Sequence, residues 1–199
     1  MVPGAPIASG PSVETVFAIP QFELFDAYLE LPPEGQAALV AGAILVLGIL
    51  VFGLLPGYGN GTLRTARRSP VISFLVGIPG TLFLLGMLFM GAIISESSIG
   101  IFFAIPLVSF GLVLLPTWLL LGATAIGASI GSRLGNGSTP VGLVLGAILL
   151  GGAALSFEVL LIVGSLFACL GVGAGTRVLI VGGTSTSPDE RSVPPANKI

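Results

Sequence analysis

The chain has 199 residues, 54% of them hydrophobic and 8% charged, with a formal net charge of -2 and a mean hydropathy of +1.09. Soluble domains carry about 25% charged residues, so this chain has too few to cover a water-facing surface, and lipid must cover most of it. It has no histidine, which removes the usual general base and the commonest metal ligand, and its one cysteine, Cys169, excludes an intramolecular disulfide.

Residues 1–35 read as an extracytoplasmic tail. The first 20 are rich in Pro, Gly and Ser and lack Lys or Arg, so they have neither the basic start nor the apolar core of a signal peptide. Residues 20–31, PQFELFDAYLEL, place Glu23, Asp26 and Glu30 within about 60° on a helical wheel. Phe22, Leu24, Phe25, Tyr28, Leu29 and Leu31 share the opposite half. Pro20 suits a helix start and Pro32-Pro33 a stop. The expectation is an amphipathic helix lying at the interface, packed as a collar on the rim of a bundle.

Residues 36–181 read as that bundle, all-α and polytopic, with spans near 36–55, 71–94, 99–131, 141–155 and 159–180. The stretch 56–70, PGYGNGTLRTARRSP, reads as a loop by its Gly and Pro content and holds Arg64, Arg67 and Arg68. Pro79 predicts a kink in the second span. The third run, 99–131, has no charged residue. As one helix it measures about 50 Å, against about 30 Å of hydrocarbon. We therefore expect one helix bent near Pro116, with its last turns at or beyond the interface and Arg133 as anchor. A polar loop with the turn signal Asn136-Gly137 follows.

The last two runs, 141–155 and 159–175, are short for full spans and are separated only by Ser156-Phe157-Glu158. They predict a tight hairpin in which Gly142, Gly146 and Gly151 face Gly164, Gly171 and Gly175. Glu158 is expected at the floor of a shallow outward recess, the candidate polar site. Gly127–Gly131, Gly142–Gly146 and Gly171–Gly175 are small-xxx-small pairs, which let helix backbones approach where lipid supplies no hydrophobic drive. Residues 182–199 read as a disordered cytoplasmic tail.

Charge sets the orientation. If the long run crosses once, Arg64, Arg67, Arg68, Arg133, Arg177, Arg191 and Lys198 fall on one side, and Glu14, Glu23, Asp26, Glu30, Glu34, Glu96 and Glu158 on the other. By the positive-inside rule the chain crosses five times, with its N-terminus outside and its C-terminus inside, and Arg64, Arg67, Arg68, Arg133 and Arg177 are the topology determinants.

No ionisable side chain lies mid-span, where one would mark a transport path. The string Gly171-Val-Gly-Ala-Gly175 lies in a membrane run and lacks the strand and acidic residue of a nucleotide fingerprint. No catalytic residue, cofactor or metal is expected.

The stretches TARRSPVISFLVGIPGTL (65–82) and PDERSVPPANKI (188–199) resemble a family of small, uncharacterised multi-pass membrane proteins of halophilic archaea. Residues 67–182 are more distantly similar to the membrane part of archaeal polymer-forming cytoskeletal, bactofilin-like proteins. The shared order is an Arg-Ser/Pro entry, two long spans, a Gly131-Ser-Arg133 exit and a Gly-rich short pair. This chain lacks their β-helix repeat and adds the span 36–55, so filament formation is not carried over, and the resemblance implies no catalytic residues. The expected role is a structural, anchoring or assembly component of the cell membrane, with a small permease or channel subunit as the alternative. Expected partners are the bilayer and other membrane proteins or further copies of the chain, not nucleic acid.

Overall fold

Proline marks where four of the six helices begin. In the computed structural model, which describes residues 26–181, the helices are α1 Pro33–Leu54, α2 Pro56–Arg68, α3 Pro70–Ile94, α4 Gly100–Arg133, α5 Thr139–Ala153 and α6 Phe157–Val181. Pro33, Pro56, Pro70 and Pro140 occupy the first or second helical position. The missing N–H has no intrahelical partner there anyway, and the fixed φ suits a helix start. Residues 26–30 are helical. The rest of the expected amphipathic segment, the N-terminal tail and the C-terminal tail lie outside the described residues.

Four helices, α1, α3, α4 and α6, are long and apolar enough to cross a membrane, and α5 is a shorter apolar helix of 15 residues. α4 runs unbroken for 34 residues through Pro106 and Pro116, and α3 continues through Pro79. The chain fits a membrane protein by composition and helix length, and its large apolar side chains point outward in number: Phe83, Phe89, Phe102 and Val113 are all well exposed.

Two sequence expectations are corrected. The stretch 56–70 is not a loop. It is the helix α2, whose buried residues Gly59, Thr62, Leu63 and Ala66 recur at helical spacing and whose arginines point outward. Three glycines each cost up to about 1 kcal/mol of helix propensity. Packing of Leu63 and Ala66 against Ala125, Ala128, Leu170 and Ala174 offsets that cost. Glycine also has a contact role here, because a Cβ at Gly59 would press on the Phe52 ring. The final run is not short either, and its helix reaches the end of the expected 159–180 span. α6 is 25 residues long and carries Thr176 and Arg177 within it.

α6 lies between α3 and α4, α5 packs on α4, α1 covers α5, and α2 lies across α4 and α6. Glycines two apart in α6 serve opposite faces. A Cβ at Gly171 would collide with the Trp118 carbonyl of α4, and one at Gly173 with the Ser73 carbonyl of α3. Residues two apart on a helix are about 200° apart, so Gly171 and Gly173 let both neighbours reach the same backbone. Gly122 and Gly77 reciprocate: a Cβ on them would strike the Phe167 and Cys169 carbonyls.

This packing corrects the expected hairpin contact. Gly142 and Gly146 meet α4 at Thr124, Ala128 and Ala123, while Gly151 meets Ala37 and Ala41 of α1. They do not face Gly171 and Gly175, which belong to the α4 and α2 contacts. α5 and α6 diverge from their turn because α4 presents a run of small residues, Gly122 to Ala128, that accepts both.

The α4 C-terminus is closed by a Schellman turn. Asn136 N–H donates to the Gly131 carbonyl at 2.8 Å and Gly135 N–H to the Ser132 carbonyl at 3.3 Å. Gly135 has φ +95°, a conformation glycine adopts without a Cβ penalty. The helix end is thus closed on Gly135, and the expected turn at Asn136-Gly137 follows it, where Asn136 Oδ1 accepts from the Ser138 N–H at 3.2 Å.

Candidate functional site

The arginines on the outer face of α2 border a cavity of about 1290 Å³ at the end of the bundle. It is lined by Arg64, Arg67, Arg68 and Ser69 from α2 and its C-cap, Thr139 from the start of α5, and Arg177 from α6. α2 brings Arg64, Arg67 and Arg68 onto one side because its other side is committed to α4 and α6.

Four long-range hydrogen bonds hold the rim. Arg67 Nη1 donates to the Gly137 carbonyl at 3.2 Å, tying α2 to the α4–α5 loop. Thr139 Oγ1 donates to Asn60 Oδ1 at 3.2 Å. Arg177 Nη1 donates to Ser69 Oγ at 2.7 Å and to Ser73 Oγ at 3.2 Å.

Arg177 is the unusual member. It is half-buried near the end of an apolar helix, and its partner Ser73 is fully buried. Both hydrogen-bond partners are neutral hydroxyls. Its Nε and Nη2 hydrogens have no partner among the described residues, and no described carboxylate lies within ion-pair distance of any of the four cavity arginines. A guanidinium removed from water is costly unless an anion or further acceptors face it.

Beside the cavity, Trp118 Nε1 donates to the Tyr58 hydroxyl at 2.5 Å, linking α4 to α2. Burial pushes the Tyr58 phenol above its ordinary pKa, and the Trp118 hydrogen bond acts in the opposite direction. A Cβ at Gly175 would press on both rings.

The remaining expected site residues are elsewhere. Arg133 is exposed in the last turn of α4, beside the loop that Arg67 grips, but does not line the cavity. Glu158 is not at the floor of a recess. It is exposed in the first turn of α6, where its carboxylate accepts from Ser156 Oγ at 2.7 Å and lies at the favourable end of the helix dipole. Gly127 packs on Gly142 and Gly146, and Gly131 on the Asn136 carbonyl and Val141.

Ser69 and Tyr58 were not singled out from sequence, nor were Gly77 and Gly122. An arginine about one turn from the end of an apolar helix was the available signal for Arg177's hydroxyl partners. Glycines spaced by two were the signal for α6 being enclosed on both sides. No protein-family model matches the chain, and no curated protein or solved structure is similar to it.

Proposed function

We propose that this chain is a multi-pass protein of the cell membrane that crosses it five times, with its N-terminus outside and its C-terminus inside, and acts as a structural, anchoring or assembly component without catalysis. The observation that carries this reading is the make-up of the interior. Helices meet backbone to backbone at glycine, and the buried polar side chains among the described residues are the hydroxyls of Thr62, Ser73, Thr81 and Thr124. Thr124 Oγ1 donates to the Leu120 carbonyl of its own helix, as hydroxyls in apolar helices commonly do. A solute path is ordinarily lined by ionisable or polar groups facing the bundle interior.

The orientation is supported by the gathering of Arg64, Arg67, Arg68 and Arg177 at one end, joined to the Arg133 loop by the Arg67–Gly137 bond. α5, at about 22 Å, crosses only where the bilayer thins or neighbouring helices shelter its ends. The resemblance of residues 65–82 to small membrane proteins of halophilic archaea belongs to the same proposal.

Single-cysteine labelling in a Cys169→Ser background tests the topology. Ser97→Cys is expected to react from outside intact cells, and Ser138→Cys only after permeabilisation. External labelling at position 138 overturns the five-span arrangement. Flux measurements in proteoliposomes test the role: none above empty vesicles is expected, and a conductance lost in Glu158→Gln establishes a permease or channel instead.

A further inference from the structure

We infer that the arginine-lined cavity binds the phosphate of an anionic phospholipid, with Arg177 at its inner wall and Arg64 and Arg68 closing over the headgroup. The inference rests on the chain being inserted in a bilayer, but not on which leaflet the arginines face.

Charge is the first reason. Four guanidiniums line one cavity, and no described carboxylate lies within ion-pair distance of them. Exposed arginines on a membrane surface need no dedicated counter-ion, because water and headgroups solvate them. Arg177 differs, being half-buried, fixed by two hydroxyls, and left with its Nε and Nη2 hydrogens free of any described partner. A planar guanidinium with unused donors on one edge is suited to bidentate binding of a phosphate.

Position is the second reason, and it separates a lipid headgroup from a free phosphate. Val178 lines the cavity, and the apolar side chains of α3 that run inward from it turn outward: Val71 and Leu75 are 69% and 60% exposed. A molecule with its phosphate against Arg177 therefore meets an apolar strip beside the cavity, where an acyl chain packs. Inorganic phosphate would make no use of that strip. Basic pockets between helices at the membrane surface bind acidic headgroups through this combination of charge and adjacent hydrocarbon.

The test uses the purified full chain in detergent micelles, titrated with phosphatidylglycerol, phosphatidylcholine or inorganic phosphate, with bound adducts counted by native mass spectrometry. One phosphatidylglycerol per chain is expected, held at least about tenfold more tightly than phosphatidylcholine. Arg64 and Arg68 make no contact that holds the fold, so the Arg64→Gln/Arg68→Gln double variant is expected to keep the wild-type unfolding temperature. It should bind phosphatidylglycerol about 30-fold more weakly, the equivalent of about 1 kcal/mol for each arginine. Equal retention of the two lipids overturns the inference, as does a double variant with undiminished affinity. Inorganic phosphate binding as tightly as phosphatidylglycerol assigns the cavity to a free anion and overturns the lipid assignment. External labelling at position 138 overturns the proposed topology and leaves this inference standing.

Discussion

The two halves of α4 belong to one unbroken helix and have opposite fates. From Gly100 to Leu115 the buried residues are Gly100, Ala104 and Gly111, and Phe102, Phe103, Phe110 and Val113 stand outward. From Pro116 to Arg133 it is enclosed by α2, α5 and α6, and Leu120, Leu121, Ala123 and Ala128 have no exposed surface. The difference lies in side-chain size. The first half holds Phe, Ile, Leu and Val with single small residues at Gly100, Ala104 and Gly111, which are the residues buried against α3. The second half carries Gly122, Ala123, Thr124, Ala125, Gly127 and Ala128, with Ile126 the one large residue of that stretch. Where lipid is as apolar as leucine, hydropathy does not sort inside from outside. Close backbone approach does, and only small residues permit it.

The strongest way to break this comparison is to add bulk at the enclosed half. Gly171→Leu places a side chain where the Trp118 carbonyl and the Gly122 nitrogen already sit. Backbone cannot yield as a flexible side chain can, so α4 and α6 must separate. Loss of the monodisperse folded species, or destabilisation by about 3 kcal/mol or more, is expected in a detergent-stability assay. An unchanged melting profile would remove glycine packing as the basis of the fold. The same assay on Phe103→Leu, in the open half, should move stability by no more than about 0.5 kcal/mol.

A smaller effect is expected at the hydrogen bond that pins α2 to the enclosed half. Tyr58→Phe leaves the Trp118 indole N–H without its acceptor, at a cost of about 1 to 3 kcal/mol. Trp118→Phe also removes buried apolar surface, so the pair is best compared through a double-mutant cycle. If the coupling energy is indistinguishable from zero, the bond does not hold α2 in place.

How much of this was legible in the sequence follows from the same physics. The apolar runs and the unbroken 99–131 segment were readable because length and hydropathy govern them directly. α2 was missed because Gly57, Gly59 and Gly61 are loop signals in water, whereas here Gly59 admits the Phe52 ring and the helix is held by packing of Leu63 and Ala66. The partners of the glycines were also missed. Small-xxx-small spacing says that a face is contactable, but both neighbours of α5 and α6 in sequence were eligible, and choosing α4 required knowing that Gly122, Ala123, Thr124, Gly127 and Ala128 meet glycines of both. Arg177 was legible as a charge and not as a cavity wall, because Ser69 and Ser73 are more than 100 residues away along the chain.

The finest test compares two glycines within α3. Gly77 abuts the Cys169 carbonyl and the Gly173 nitrogen, whereas a Cβ at Gly86 would meet nothing within 4 Å. In water, replacing a helical glycine by alanine gains up to about 1 kcal/mol, chiefly because the unfolded glycine backbone is freer. In a bilayer or micelle the unfolded reference keeps most of its helix, since unpaired backbone groups are costly in hydrocarbon. Most of that gain is then absent. Gly86→Ala is expected to change stability by between zero and about +0.5 kcal/mol, and Gly77→Ala to destabilise by at least about 1 kcal/mol because its Cβ meets backbone. The sign difference within one helix carries the argument. If Gly86→Ala destabilises as much as Gly77→Ala, the face of α3 bearing Gly86 is covered by a second chain, and the contrast between open and enclosed surfaces has to be redrawn for an oligomer.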